Sequence, residues 1–88
     1  MRRITFSQKA FDDFYSWSAK DLKTFSKIKD LIVEITRNPF KGTGKPEPLK
    51  HKYKGFWSRR INQEHRLVYE VTTDEIIIVS CDGHYTEK

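Results

Sequence analysis

Between Lys41 and Arg66 the chain carries eight basic residues (Lys41, Lys45, Lys50, Lys52, Lys54, Arg59, Arg60 and Arg66) against two acids, Glu47 and Glu64. Residues 1–40 hold eight basic and five acidic residues, and residues 67–88 hold one and five. The middle segment therefore contributes +6, more than the whole net charge of +5. Cations gathered this way form an electrostatic footprint for a polyanion. The same chain also carries Glu47 between two prolines and His84 near its end. A carboxylate, an imidazole and a guanidinium fork are the groups that acid–base chemistry at a phosphate would use. Taken singly, each is an ordinary surface residue. They matter only if the fold brings them together.

The elements that would do so follow from periodicity. Ile4 and Phe6 around Thr5 predict a first strand over 2–6. Ser7 suits an N-cap. Ala10, Phe11, Phe14, Tyr15 and Trp17 then recur at helical spacing to about Ser18. Asp21 can cap a second helix, in which Leu22, Phe25, Ile28, Leu31, Ile32 and Ile35 step by threes and fours. Asn38-Pro39 ends it, since proline forces its predecessor out of the helical region. The segment 39–55 has three prolines and three glycines and no periodicity, and is expected to be an ordered loop. Three strands should follow, over 56–61, 65–72 and 75–81, joined by short turns that favour antiparallel pairing. The predicted order is β-α-α-β-β-β, a two-helix hairpin on one face of an antiparallel sheet, an α+β domain spanning 1–88.

Alternation along the middle strand carries a consequence for the site. If Leu67, Tyr69 and Val71 face the helices, Arg66, Val68 and Glu70 face away. The open face would then gather Glu47, Arg59 or Arg60, Arg66 and His84. Trp57 and Phe56 are expected to pack, and His51 and His65 to be structural or solvated.

Other classes of function find no support. The single cysteine, Cys81, allows no internal disulfide, which favours a reducing cytoplasm. No zinc-ligand spacing occurs, and GTGKPEP lacks the spacing and ending of a phosphate-binding loop. No apolar run is long enough to span a membrane, and Met1-Arg-Arg-Ile4 opens no signal peptide. A soluble cytoplasmic protein without membrane, metal or cofactor is expected.

The segments Gly42-Thr-Gly-Lys-Pro-Glu-Pro-Leu-Lys-His51, Gly55-Phe-Trp-Ser-Arg-Arg-Ile61, Glu64-His-Arg-Leu-Val-Tyr69 and His84-Tyr85 resemble the YoeB-type toxins of the RelE superfamily. Phe11-Asp-Asp-Phe-Tyr15 and Asn38-Pro-Phe40 add weaker matches, so the likeness covers nearly the whole chain. It implies a microbial-ribonuclease-like domain that enters the 70S ribosome and cuts mRNA in the A site, stopping translation. It further implies Glu47 as base, Arg66 at the phosphate and His84 as acid, with Lys50, Arg60 and Tyr85 supporting the substrate. Its partners would be the ribosome with its mRNA and a cognate antitoxin, YefM-like, whose acidic C-terminal segment wraps the toxin. A homodimer is also implied. The chemistry is self-consistent: RNA supplies its own 2′-OH nucleophile, so a base, an acid and cations suffice without metal. Asp82-Gly83 stands where relatives commonly carry a basic or aromatic pair, and Thr86–Lys88 follow where they commonly stop. A protein that occupies the ribosome without cleaving is the alternative.

Overall fold

The computed structural model describes residues 1–83. Strand β1 (Arg3–Phe6) leads into helix α1 (Gln8–Lys20) and helix α2 (Leu22–Arg37). A two-residue strand β2 (Glu47–Pro48) and a short 3₁₀ turn (His51–Tyr53) occupy the loop that follows. Strands β3 (Phe56–Arg60), β4 (Arg66–Val71) and β5 (Glu75–Ser80) complete the element order.

Local chemistry sets the helix ends. The Ser7 hydroxyl accepts from Ala10 N–H at 3.0 Å and so caps α1. Asp21 does double duty. Its backbone N–H closes α1 on the Trp17 carbonyl, while its carboxylate accepts from Lys23 N–H and Thr24 N–H to open α2. The Thr24 hydroxyl, then its N–H, hold the Asp21 carboxyl below the usual range. One residue thus turns the chain between two helices.

The five strands form one sheet in the order β1-β5-β4-β3-β2. The β3–β4 and β4–β5 pairs are antiparallel, as the short turns require. β1 pairs with β5 in parallel, Ile4 opposite Ile76 and Phe6 opposite Ile78, so the sheet is mixed. No hairpin joins these two strands, and turn spacing therefore said nothing about their relative direction. β2 pairs antiparallel with β3, Glu47 opposite Ser58. Pro48 hid this strand in the sequence, and an edge is where a sheet tolerates proline.

Both helices lie on one face of the sheet. Ala10 and Trp17 from α1, and Ile28, Leu31, Ile32 and Ile35 from α2, are buried against Leu67, Tyr69, Ile76, Ile78 and Cys81. Trp57 packs against this core from β3, with its ring centroid 5.0 Å from that of Phe40. The opposite face is not bare, since Val68, set between Ser58 and Ser80 on its neighbours, is fully buried. Burial pushes the Cys81 thiol up to about 12, with Asp13 adding to the effect. Cys81 is thus a small core group. Among the described residues no helix is long and apolar enough to cross a membrane.

Candidate active site

Strand alternation sorts the arginines of β3 onto opposite faces. Arg59 points to the helices and is fully buried. It leaves the open face, where the sequence had offered it beside Arg60. Its Nη1 donates to Glu34 Oε1 at 2.6 Å and to the Thr43 carbonyl at 3.3 Å. Its Nη2 donates to the carbonyls of Asn38 at 2.6 Å and Lys41 at 3.0 Å, and its Nε to the Tyr69 hydroxyl at 3.1 Å. Tyr69 in turn donates to the Pro39 carbonyl at 2.7 Å. A buried guanidinium needs this many acceptors to offset its lost hydration. Carbonyls between Asn38 and Thr43 supply three of them. Arg59 is consequently the post on which the loop from α2 to Glu47 is wound.

Glycines let that loop come close. A Cβ on Gly42 would lie 2.1 Å from Glu34 Oε1, and Gly42 adopts φ +131°. Glu34 also accepts from Thr43 N–H at 2.6 Å and from the Thr43 hydroxyl at 2.9 Å. These bonds, the Thr43 N–H foremost, hold its carboxyl below the usual range. Beyond this anchor the Gly44 carbonyl accepts from Arg60 N–H at 2.7 Å. The chain then enters β2 at Glu47.

On the open side, Glu47 meets Arg66. Arg66 Nη1 lies 3.0 Å from Glu47 Oε1 and 3.4 Å from the Ser58 hydroxyl. The pair is accessible, with Arg66 25% and Glu47 56% exposed at the side chain. Such pairs are worth only about 0–1 kcal/mol, so a phosphate can take Arg66 over without a large loss. Arg60 and Arg66 stand directly opposite in the β3–β4 register. Like charges facing each other across a ladder are destabilising. Together with Asn62 and Gln63 they line an open depression of about 210 Å³. The Asn62 carboxamide closes the intervening turn by accepting from Glu64 N–H and His65 N–H. Lys50 is exposed and opens the 3₁₀ turn three residues after Glu47.

His84 and Tyr85 lie outside the described residues. What is described is the chain that leads to them. The Gly83 carbonyl accepts from Arg66 N–H at 3.0 Å, and Gly83 N–H donates to His65 Nδ1 at 2.8 Å. The residue preceding His84 is thus tied to the backbone of Arg66. His65, expected to be structural or solvated, is structural. Its ring meets Trp17 edge-on at 4.9 Å, and Trp17 Nε1 donates to the Cys81 carbonyl at 2.8 Å. Asp82 Oδ1 lies 3.0 Å from the same His65 Nδ1. A neutral ring accepts from Gly83 there, whereas a protonated ring would pair with Asp82.

Sequence reasoning missed Ser58 and the role of Arg59. The register of β2 on β3 would have exposed the first, but two residues around a proline carry no periodic signal.

The family model for the YoeB-like toxin of bacterial type II toxin–antitoxin systems matches residues 6–85. Toxin YoeB of Escherichia coli K12 is 49% identical over 83 residues, covering 94% of this chain and 99% of that protein. The YoeB dimer from Staphylococcus aureus superposes with a TM-score of 0.89 at 48% identity, over 96% of this chain and 98% of that one. The toxin in the heterotetrameric YoeB–YefM complex of the same organism gives 0.87 at 48%, over 97% and 99%. The chain belongs to the YoeB-like toxins of type II toxin–antitoxin systems.

Proposed function

We propose that this toxin is a ribosome-dependent endoribonuclease that cuts mRNA in the ribosomal A site. The observation that carries the reading is the Glu47–Arg66 pair. It is open to solvent, lies beside Arg60, and its Arg66 is bonded through the backbone to Gly83, the residue before His84 in sequence. Glu47 takes the proton of the 2′-OH. The 2′-oxygen attacks phosphorus, and the bond from phosphorus to the 5′-oxygen breaks. His84 protonates that leaving oxygen, giving a 2′,3′-cyclic phosphate and a 5′-OH. Arg66, released from Glu47, offers its fork to the charge growing on the phosphate oxygens. Arg60, Lys50 and Tyr85 hold the flanking RNA.

The partners follow from the relatives. A YefM-like antitoxin with an acidic segment suits the basic open face, where complementary charge speeds and orients association. A homodimer is the second assembly, as in the S. aureus relative. Phe11 and Tyr15, one turn apart on α1 and 56% and 72% exposed, offer an apolar surface for contact.

The test is to map product ends after the toxin acts on programmed ribosomes, beside Glu47→Ala and His84→Ala variants. Cyclic-phosphate ends that disappear in both variants, with ribosome binding retained, support the assignment. Variants that still arrest translation with mRNA intact show a protein that inhibits by occupancy.

A further inference from the structure

At the corner of the molecule diagonal to the Glu47–Arg66 pair lies an open depression of about 620 Å³. Arg2, Arg3, Arg37, Thr36, Thr73 and Asp74 line it. Two separate elements bring the three guanidiniums there: Arg2 and Arg3 at the start of β1, and Arg37 at the last turn of α2. Arg2 Nε is steadied by the Thr72 carbonyl at 2.7 Å, over the turn between β4 and β5. The helix dipole accounts for Arg37 alone. Nothing in the fold accounts for the convergence. Among the described residues none of the three arginines has a carboxylate within 4.0 Å, although Asp74 shares the rim. Arg3 and Arg37 are exposed. Three guanidiniums thus share the concavity with one carboxylate that pairs closely with none of them, a net positive cluster that an anion would relieve.

We infer that this depression is a second anion site, which takes phosphates of folded RNA while the Glu47–Arg66 site holds the strand to be cut. The placement favours RNA over an acidic protein segment. β1 and β2 are the two edge strands of the five-stranded sheet, roughly 19 Å apart at the usual interstrand spacing. Arg66 begins β4, whereas the depression adjoins the turn after its end. A single strand threaded past Glu47 does not fill both corners. A body 33 Å across lodged within a large folded RNA meets phosphates on more than one side. Arginine forks match those phosphates two oxygens at a time. The site rests on the ribosome-directed reading given above and assigns it a second anchor that takes no part in the chemistry.

The test compares the wild type with Arg3→Ala/Arg37→Ala. Neither side chain supports the core, so the variant should unfold at the same urea concentration. Binding to purified ribosomes is measured across a salt series, with cleavage of programmed mRNA in parallel. Loss of two phosphate contacts should lower the slope of log affinity against log salt by about two, and weaken binding about tenfold. The half-saturating ribosome concentration should rise while the saturated cleavage rate holds, and Arg3→Lys/Arg37→Lys should restore the salt slope but only part of the affinity. An unchanged affinity and slope overturns the site while leaving the endoribonuclease reading intact. Weakened antitoxin binding with ribosome binding unchanged overturns it in favour of an acidic protein segment. A wild type that neither binds nor cuts on ribosomes removes the parent reading, and this site with it.

Discussion

Arg66 has two partners to choose between. In the free protein its guanidinium sits on Glu47, and in the proposed reaction it must turn to phosphate. The weakness of an exposed pair makes the exchange feasible. Replacing Glu47 by Gln removes the base while leaving a hydrogen-bond acceptor for Arg66. Cleavage should fall by about 10²–10⁴-fold, with ribosome affinity little altered. Arg66→Lys keeps the charge and loses the fork, and should cost about 10²-fold in the cleavage rate measured under single-turnover conditions. Strand alternation allowed Glu47, Arg60 and Arg66 to share the open face, and the resemblance, not composition, singled them out. Arg59, offered as the alternative to Arg60, lies instead on the buried face. A charged side chain is almost never fully buried, so composition assigned it to the surface. The distant Glu34, the loop carbonyls and the Tyr69 hydroxyl make its burial tolerable.

Among the elements, the loop from Asn38 to Glu47 is the part whose order is least visible in the chain. It has no repeat, yet one side chain from β3 and one from α2 hold it. Arg59→Met strands three loop carbonyls and the Glu34 carboxylate, and should destabilise the fold by about 3 kcal/mol, read as a lower urea midpoint. Glu34 adds a pH signature. Its folded pKa is depressed, so its contribution is complete above the ordinary carboxylate range and is lost as pH falls through the folded value. On acidification, the urea midpoint should therefore fall less steeply in Glu34→Gln than in the wild type. At the far end of the sheet His65 serves the chain that precedes His84. His65→Asn, whose carboxamide oxygen can accept from Gly83 N–H as Nδ1 does, should keep more cleavage than His65→Phe, which keeps the ring on Trp17 and loses the acceptor. The reverse order, with His65→Phe keeping more cleavage than His65→Asn, would show that the ring packing on Trp17 is what counts. The helices, by contrast, were plain in the sequence down to their caps, because Ser7 and Asp21 act on their own neighbours. The parallel β1–β5 pair was not, since it joins residues some seventy positions apart with no turn to set its sense.

For the whole molecule, the sheet does one thing that no single element can. It carries Glu47 on one edge strand and Arg66 two strands inward, and ties the exit of the last strand to Arg66 at Gly83. The helices cover the other face and leave Phe11 and Tyr15 outward. Phe11→Ser should weaken self-association in sedimentation experiments without lowering the urea midpoint, because that ring is more than half exposed. The central claim is that the open face cuts RNA only within the ribosome. Primer extension on a defined mRNA, with and without ribosomes and with Glu47→Ala and His84→Ala beside the wild type, tests it most directly. Cuts at the A-site codon that need ribosomes and vanish in both variants are the predicted result. Translation that stops while the mRNA stays whole, or cuts of equal strength on free RNA, would contradict it.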